Sequence, residues 1–119
     1  MTIGKYKIAR QNGCFGLYAV VSLKVKYSKT GLVNVDLHNS VDKKWELSCL
    51  DGIKYAYEKI PEKSGVDVEI ISLDWNPVDT KPMAVKFVTA MAFWQSLKYE
   101  PEQLPKIYKI DSGFQIVFS

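Results

Sequence analysis

Apolar and polar positions change rhythm several times along the chain. From Val20 to Tyr27 they alternate, with Val21, Leu23, Val25 and Tyr27 on one face and Ser22, Lys24 and Lys26 on the other. A period of two marks a strand with one buried face. Ser28-Lys29-Thr30-Gly31 is a turn signal, and Leu32 to His38 alternates again with Val33, Val35 and Leu37 inward. Together these stretches predict a β-hairpin. After Asn39-Ser40-Val41-Asp42, which offers several helix caps, Leu50, Ile53, Tyr57 and Ile60 recur at spacings of three and four. That is the period of an amphipathic helix, ended here by Pro61. Gly52 inside it costs about 1 kcal/mol relative to Ala, and close packing against the sheet is the expected reason for it.

Val66 to Trp75 reads as another strand. Its β-branched run Val68, Ile70, Ile71 predicts burial on both faces. A second helix is expected from Thr80 as N-cap, with Pro82 in the first turn, where its missing N–H does no harm. Met83, Phe87, Ala90, Met91, Trp94 and Leu97 mark its apolar face, and the Glu100 to Pro105 stretch breaks it. Lys106 to Ile110 and Phe114 to Phe118 are short strands around an Asp111-Ser112-Gly113 turn. The elements predict an α+β domain, a mixed sheet with two helices on one face.

No internal repeat or linker divides the 119 residues, so residues 1–119 are read as a single domain. Apolar residues make up 47% and charged residues 24%, enough to build a core without disulfides or metals. The first residues lack the apolar stretch of a signal peptide, and no apolar run reaches the length of a membrane span. With only Cys14 and Cys49, read as two free thiols, the expected compartment is the cytoplasm.

Net charge is +3 but uneven. The first 35 residues carry Lys5, Lys7, Arg10, Lys24, Lys26 and Lys29 with no acid, leaving −3 for the rest. A basic end of this kind suits a polyanion, because lysines beside phosphates release counterions. A solvated strand face is the plainer alternative. Arg10 is the lone arginine, and arginine is the usual residue for bidentate contacts to phosphate or guanine.

Catalytic constellations are not evident. His38 is the only histidine and falls on a strand, opposite the inward valines, where a surface side chain is the simpler reading. Cys14, Cys49 and His38 lack metal-ligand spacing, and no phosphate-binding glycine loop is present. Gly13-Cys14-Phe15-Gly16 precedes a strand rather than opening a helix. Asp74 and Asp79 lie near each other in sequence, yet an Asp before a helix is more often a cap. No catalytic residue, cofactor, nucleotide or metal is therefore expected. Of the tryptophans, Trp94 belongs to a core stripe, Trp45 near a helix start is expected to be half exposed, and Trp75 ends a strand as a core-edge or stacking residue.

Two stretches resemble the fourth domain of translation elongation factor G. Arg10-Gln11-Asn12-Gly13-Cys14-Phe15-Gly16-Leu17-Tyr18 is similar to the family segment K-Q-S-G-G-R-G-Q-Y. The run from Pro77 to Lys86 is similar to H-D-V-D-S-S-E-L-A-F-K, and the Gly52-Ile53 pair also matches. The resemblance spans about residues 8 to 110. It implies a ribosomal-protein-type β-β-α-β-α-β fold with a left-handed β-α-β crossover, rare under the general handedness rule. It also implies that Asn12 to Leu17 and Trp75 to Thr80 form a tip that, in the family, enters the ribosomal decoding region. The departures cluster at that tip: Phe15 replaces an arginine, Leu17 a glutamine and Asn76 a histidine, whereas Gly13, Gly16, Tyr18, Val78, Asp79, Ala84 and Lys86 keep residues suited to the fold.

Two roles follow as expectations. The leading one is a non-catalytic relative of this domain, without a GTPase domain in this chain, that docks on the ribosome or other structured RNA through Arg10, Asn12, Lys24 and Lys26. The other is a protein-interaction module that kept the fold, lost RNA binding and presents Phe15, Leu17 and Trp75 as an exposed anchor patch, with Asn76 a candidate contact to RNA or partner in either role. Neither role involves a membrane.

Overall fold

The two-residue turn Gly13-Cys14 closes the longest ladder in the structure. The computed structural model describes residues 3–61 and 63–119. Strand β1 (Ile3–Asn12) pairs antiparallel with β2 (Phe15–Tyr27) from Ile3↔Lys24 to Asn12↔Phe15. Gly13, at φ 62, takes the first central position of the two-residue turn, where a left-handed backbone favours glycine. The alternation from Val20 had located β2, but the strand starts earlier and has a partner that the polar spacing of β1 concealed.

The chain continues through β3 (Val33–Leu37), a 3-10 turn (Lys43–Trp45), α1 (Glu46–Lys59), β4 (Val66–Asp74), α2 (Pro82–Leu97), β5 (Lys106–Ile110) and β6 (Gly113–Val117). The expected hairpin between β2 and β3 does not form. The strand order is β1-β2-β4-β3, with β4 antiparallel to β2 and parallel to β3. The Ser28–Leu32 turn is stitched instead to the segment that leads into β4. Ser28 N–H donates to the Gly65 carbonyl at 3.0 Å, Gly31 N–H to Ser64 at 3.0 Å, and Val66 N–H to Leu32 at 2.9 Å. These bonds hold β3 one strand-width away and admit β4 between. The β3–α1–β4 unit is thus a crossover between neighbouring parallel strands.

Burial on β4 also differs from the expectation of two buried faces. Val66, Val68 and Ile70 point inward, while Asp67 and Glu69 face solvent. A register shift between Ser22 and Leu23 then leaves Ile71 without an opposite residue and returns Leu73 to the inner face beside Val21. The sheet therefore has one apolar face, lined by Ile8, Leu17, Val21, Leu23, Val68 and Ile70, and one open polar face.

Both helices cover the apolar face. Ten of the sixteen residues of α2 are buried, including Ala84, Val88, Ala92 and Phe93. Such a helix has neighbours on nearly every side, and small residues let them approach. Any Cβ at Gly4 on β1 would collide with the Ala92 carbonyl, and Val25 N–H donates to Ser96 Oγ at 3.0 Å. Helix α1 is amphipathic and buries Cys49, Ile53 and Ala56. Its Gly52 packs against α2 rather than the sheet, since a Cβ there would lie 2.6 Å from the Lys86 carbonyl oxygen. Trp94 Nε1–H donates to the Ala56 carbonyl at 3.0 Å and binds the two helices together.

Helix boundaries follow local chemistry. Asp42 accepts from Lys44 N–H at 3.0 Å and opens the 3-10 turn. Ile60 is extended before Pro61, as the residue preceding proline must usually be. The cap position of α2 is Lys81, not Thr80, because the Thr80 hydroxyl is engaged with Asn76 and Tyr18. The β5–β6 hairpin buries Phe114 and Ile116 and is pinned by Asn12, whose Nδ2 donates to the Ile110 and Gly113 carbonyls at 2.9 and 2.8 Å. No described helix is long and apolar enough to cross a membrane.

Candidate docking surface

The two tip segments meet. Tyr18 N–H donates to the Asp79 carbonyl at 3.1 Å, and the Thr80 hydroxyl donates to the Tyr18 carbonyl at 2.6 Å. Residues 79–80 thus run beside β2 where β4 has left it. Asn76 organises the turn: its Oδ1 accepts from Val78 N–H at 3.1 Å and Asp79 N–H at 2.6 Å. The Asp79 carboxylate settles onto Gly16, where any Cβ would collide with it. Asp79 is therefore held in the loop, whereas Asp74 stands opposite Val20 at the end of β4.

These contacts sort the candidate residues. Leu17 is 1% exposed and belongs to the core, because it lies on the inward face of β2. This corrects its place on the docking surface. The Asn12 amide nitrogen and the Asn76 amide oxygen are engaged within the fold. Phe15 stays 40% exposed against the backbone of Gly113, and Arg10 is exposed on β1. Val78, 78% exposed on the Asn76 turn, had been assigned to the fold and instead stands free of it. The signal for it was an apolar residue inside a Pro-Val-Asp turn, which packs on nothing nearby in sequence. Cys14 is exposed at the hairpin turn.

Lys24 and Lys26 meet carboxylates. Lys24 Nζ lies 3.9 Å from Glu69 Oε1, and His38 Nε2 approaches the same oxygen at 3.1 Å. Lys26 stands opposite Asp67 in the ladder. The basic first third of the chain is thus partly neutralised by acids on β4. Trp75, half-buried, packs edge-to-face on Trp45 with ring centroids 5.5 Å apart. Trp45 is 6% exposed, not half exposed, because the 3-10 turn folds it inward. Lys44 Nζ covers Trp75 at 4.2 Å, a cation–π contact that occupies one ring face.

Reactive chemistry is sparse. Burial pushes the Cys49 thiol up from 9.0 to about 11, against a weak bond from Thr89 and with a small push from Glu46. Among the described residues, no group of three or more His, Cys, Asp or Glu side chains is placed to hold a metal ion.

No family model and no curated protein sequence matches the chain. Among solved structures, a protein from Thermus thermophilus is similar over 85% of this chain, with a TM-score of 0.67 and 18% identity. The likeness is one of fold. This chain spans only 16% of that protein's length, so the same architecture occurs there as one segment of a much longer polypeptide.

Proposed function

We propose that this chain is a non-catalytic docking domain that holds a protein partner at its tip. The observation that carries this reading is the exposure of Phe15 and Val78 on two segments that are fixed by Asn12, Asn76, Asp79 and Thr80. Apolar side chains on rigid turns make anchors at low entropic cost. The carboxylates facing Lys24 and Lys26 weaken the expected RNA surface at those two lysines.

A second reading, docking on the ribosome or other structured RNA, keeps a different observation in its favour. Lys5, Lys7 and Arg10 are exposed on β1, and none forms an ion pair among the described residues. Co-purification with Phe15→Asp and Val78→Asp variants, together with ribosome co-sedimentation across a salt series, separates the two. Loss of a defined protein partner in both variants, with folding intact, supports the tip reading. Salt-sensitive pelleting that survives Phe15→Asp but not Lys5→Glu/Lys7→Glu overturns it in favour of RNA.

A further inference from the structure

Strand β1 is one of the two outer strands of its sheet, and its free side bears the marks of a peptide-binding edge. In an antiparallel strand the backbone groups of successive residues point alternately to the two sides. Lys5 N–H turns away from β2 and donates to Gln95 Oε1 at 2.8 Å. At a period of two, the backbone groups of Lys7 and Ala9 share that outward direction. Among the described residues they have no hydrogen-bond partner outside the sheet. Gln95 thus occupies the first of a row of sites that another strand's backbone would fill.

The two faces of this edge differ. On the inner side, Tyr6, Met91, Trp94, Tyr99 and Leu104 line a largely apolar groove of about 370 Å³, with Glu100 also on its wall. On the open side, Lys5 and Lys7 are exposed and form no ion pair among the described residues. Side chains of an added strand alternate between these faces. One set would enter the groove and the other would lie beside the two ammonium groups.

We propose that the β1 edge binds an extended peptide in which apolar and acidic residues alternate. Backbone pairing at Lys7 and Ala9, beyond the site that Gln95 fills at Lys5, supplies the strand-like geometry, the groove takes the apolar set, and the Lys5 and Lys7 side chains take the carboxylates. Glu100 disfavours acidic residues on the groove side and so fixes which set faces inward. Edge lysines commonly deter indiscriminate strand pairing. An acidic strand is the class that this charge attracts. The proposal is independent of the tip, because Phe15 and Val78 take no part in it.

The test uses the whole chain and a labelled synthetic peptide of about seven residues alternating glutamate and valine, the length of one strand. Fluorescence anisotropy measures affinity, and amide hydrogen exchange follows Lys7 and Ala9. The expected result is saturable binding, slowed exchange at both amides, and affinity about tenfold weaker in Lys5→Glu/Lys7→Glu. Leu104→Glu, at a half-exposed groove position that leaves the core untouched, should also weaken binding. Equal binding of a peptide with the same residues segregated into blocks overturns the proposal. So does absent amide protection, or unchanged affinity in both variants. Binding of a uridine-rich RNA in place of the peptide, or self-association that protects the same amides, also overturns it and reassigns the edge.

Discussion

Gly52 and Gly16 both leave out a side chain for a neighbour, yet the neighbours differ in kind. At Gly52 the space is taken by the backbone of α2, with the Lys86 carbonyl oxygen 2.6 Å and the Thr89 Cβ 3.0 Å from where a Cβ would sit. At Gly16 it is taken by the end of one side chain, the Asp79 carboxylate. A helix carbonyl yields only if two helices separate, whereas a carboxylate can swing away. The helix interface is therefore intolerant of an added methyl, whereas at the tip the hydrogen-bonded backbone can stay in place while one side chain yields.

The largest effect should follow from filling Gly52. Gly52→Val should destabilise the fold by about 3 kcal/mol or more, read as a lower denaturant midpoint, because overpacking here displaces backbone. Gly52→Ala is the sharper test. Helix propensity alone would make alanine about 1 kcal/mol more stable than glycine. A net loss in Gly52→Ala measures the clash, and a net gain would show that α1 and α2 are looser than the structure has them.

The two cysteines sharpen the same contrast. Cys14 at the tip should react quickly with a thiol reagent in the native protein, and Cys49 only as fast as the fold opens. Cys49 also links stability to pH. Its thiol is raised in the folded state to about 11, so the folded form keeps a proton that the unfolded form releases from about pH 9. The stabilisation is complete below pH 9 and is lost as pH rises toward 11, by about 2 kcal/mol. Comparing urea midpoints of Cys14→Ser with Cys14→Ser/Cys49→Ala across that window isolates the effect. Parallel pH profiles would refute it.

A smaller effect is expected at Gly16. Gly16→Ala should cost about 1 kcal/mol, and combining it with Asp79→Ala should recover much of the loss through a coupling that a double-mutant cycle reads directly. Additive losses would mean that Asp79 does not rest on Gly16.

The same distinction explains what was legible in the sequence. The helices and β2 announced themselves because Ile53 and Phe87, or Val21 and Leu23, repeat the period of their element. So did the β5–β6 turn and the meeting of the two tip segments, which the resemblance had paired. The position of β3 was hidden because Ser28 to Gly31 has the composition of a hairpin turn while its backbone bonds go to Ser64 and Gly65. Strand β1 was hidden because its inward residues Gly4, Tyr6 and Ile8 include only one aliphatic side chain and are interleaved with Lys5, Lys7 and Arg10. Leu17 and Val78 were exchanged: proximity to the turn suggested that Leu17 was free, yet the period of β2 puts it inside, and Val78 sits where no strand or helix period applies. Alternation reports a side chain's face, not the strand that will lie beside it.

Val78 gives the smallest stability effect and the cleanest separation of fold from docking. At 78% exposure, its side chain has little apolar area left to lose, and the Asn76 turn is held by bonds from Val78 N–H and Asp79 N–H that any residue but proline would keep at position 78. Val78→Asp should therefore leave the thermal midpoint nearly unchanged, within about 0.5 kcal/mol of stability. At a docking tip the same change places a carboxylate in an apolar contact and should abolish partner capture, because an unpaired charge is expensive to desolvate. If the variant melts with the wild type and still captures the partner, the exposed valine is surface and nothing more, and the anchor must be sought at Phe15 alone. If it unfolds, the 75–80 segment contributes to the scaffold, and the contrast between scaffold and tip fails at its most exposed residue.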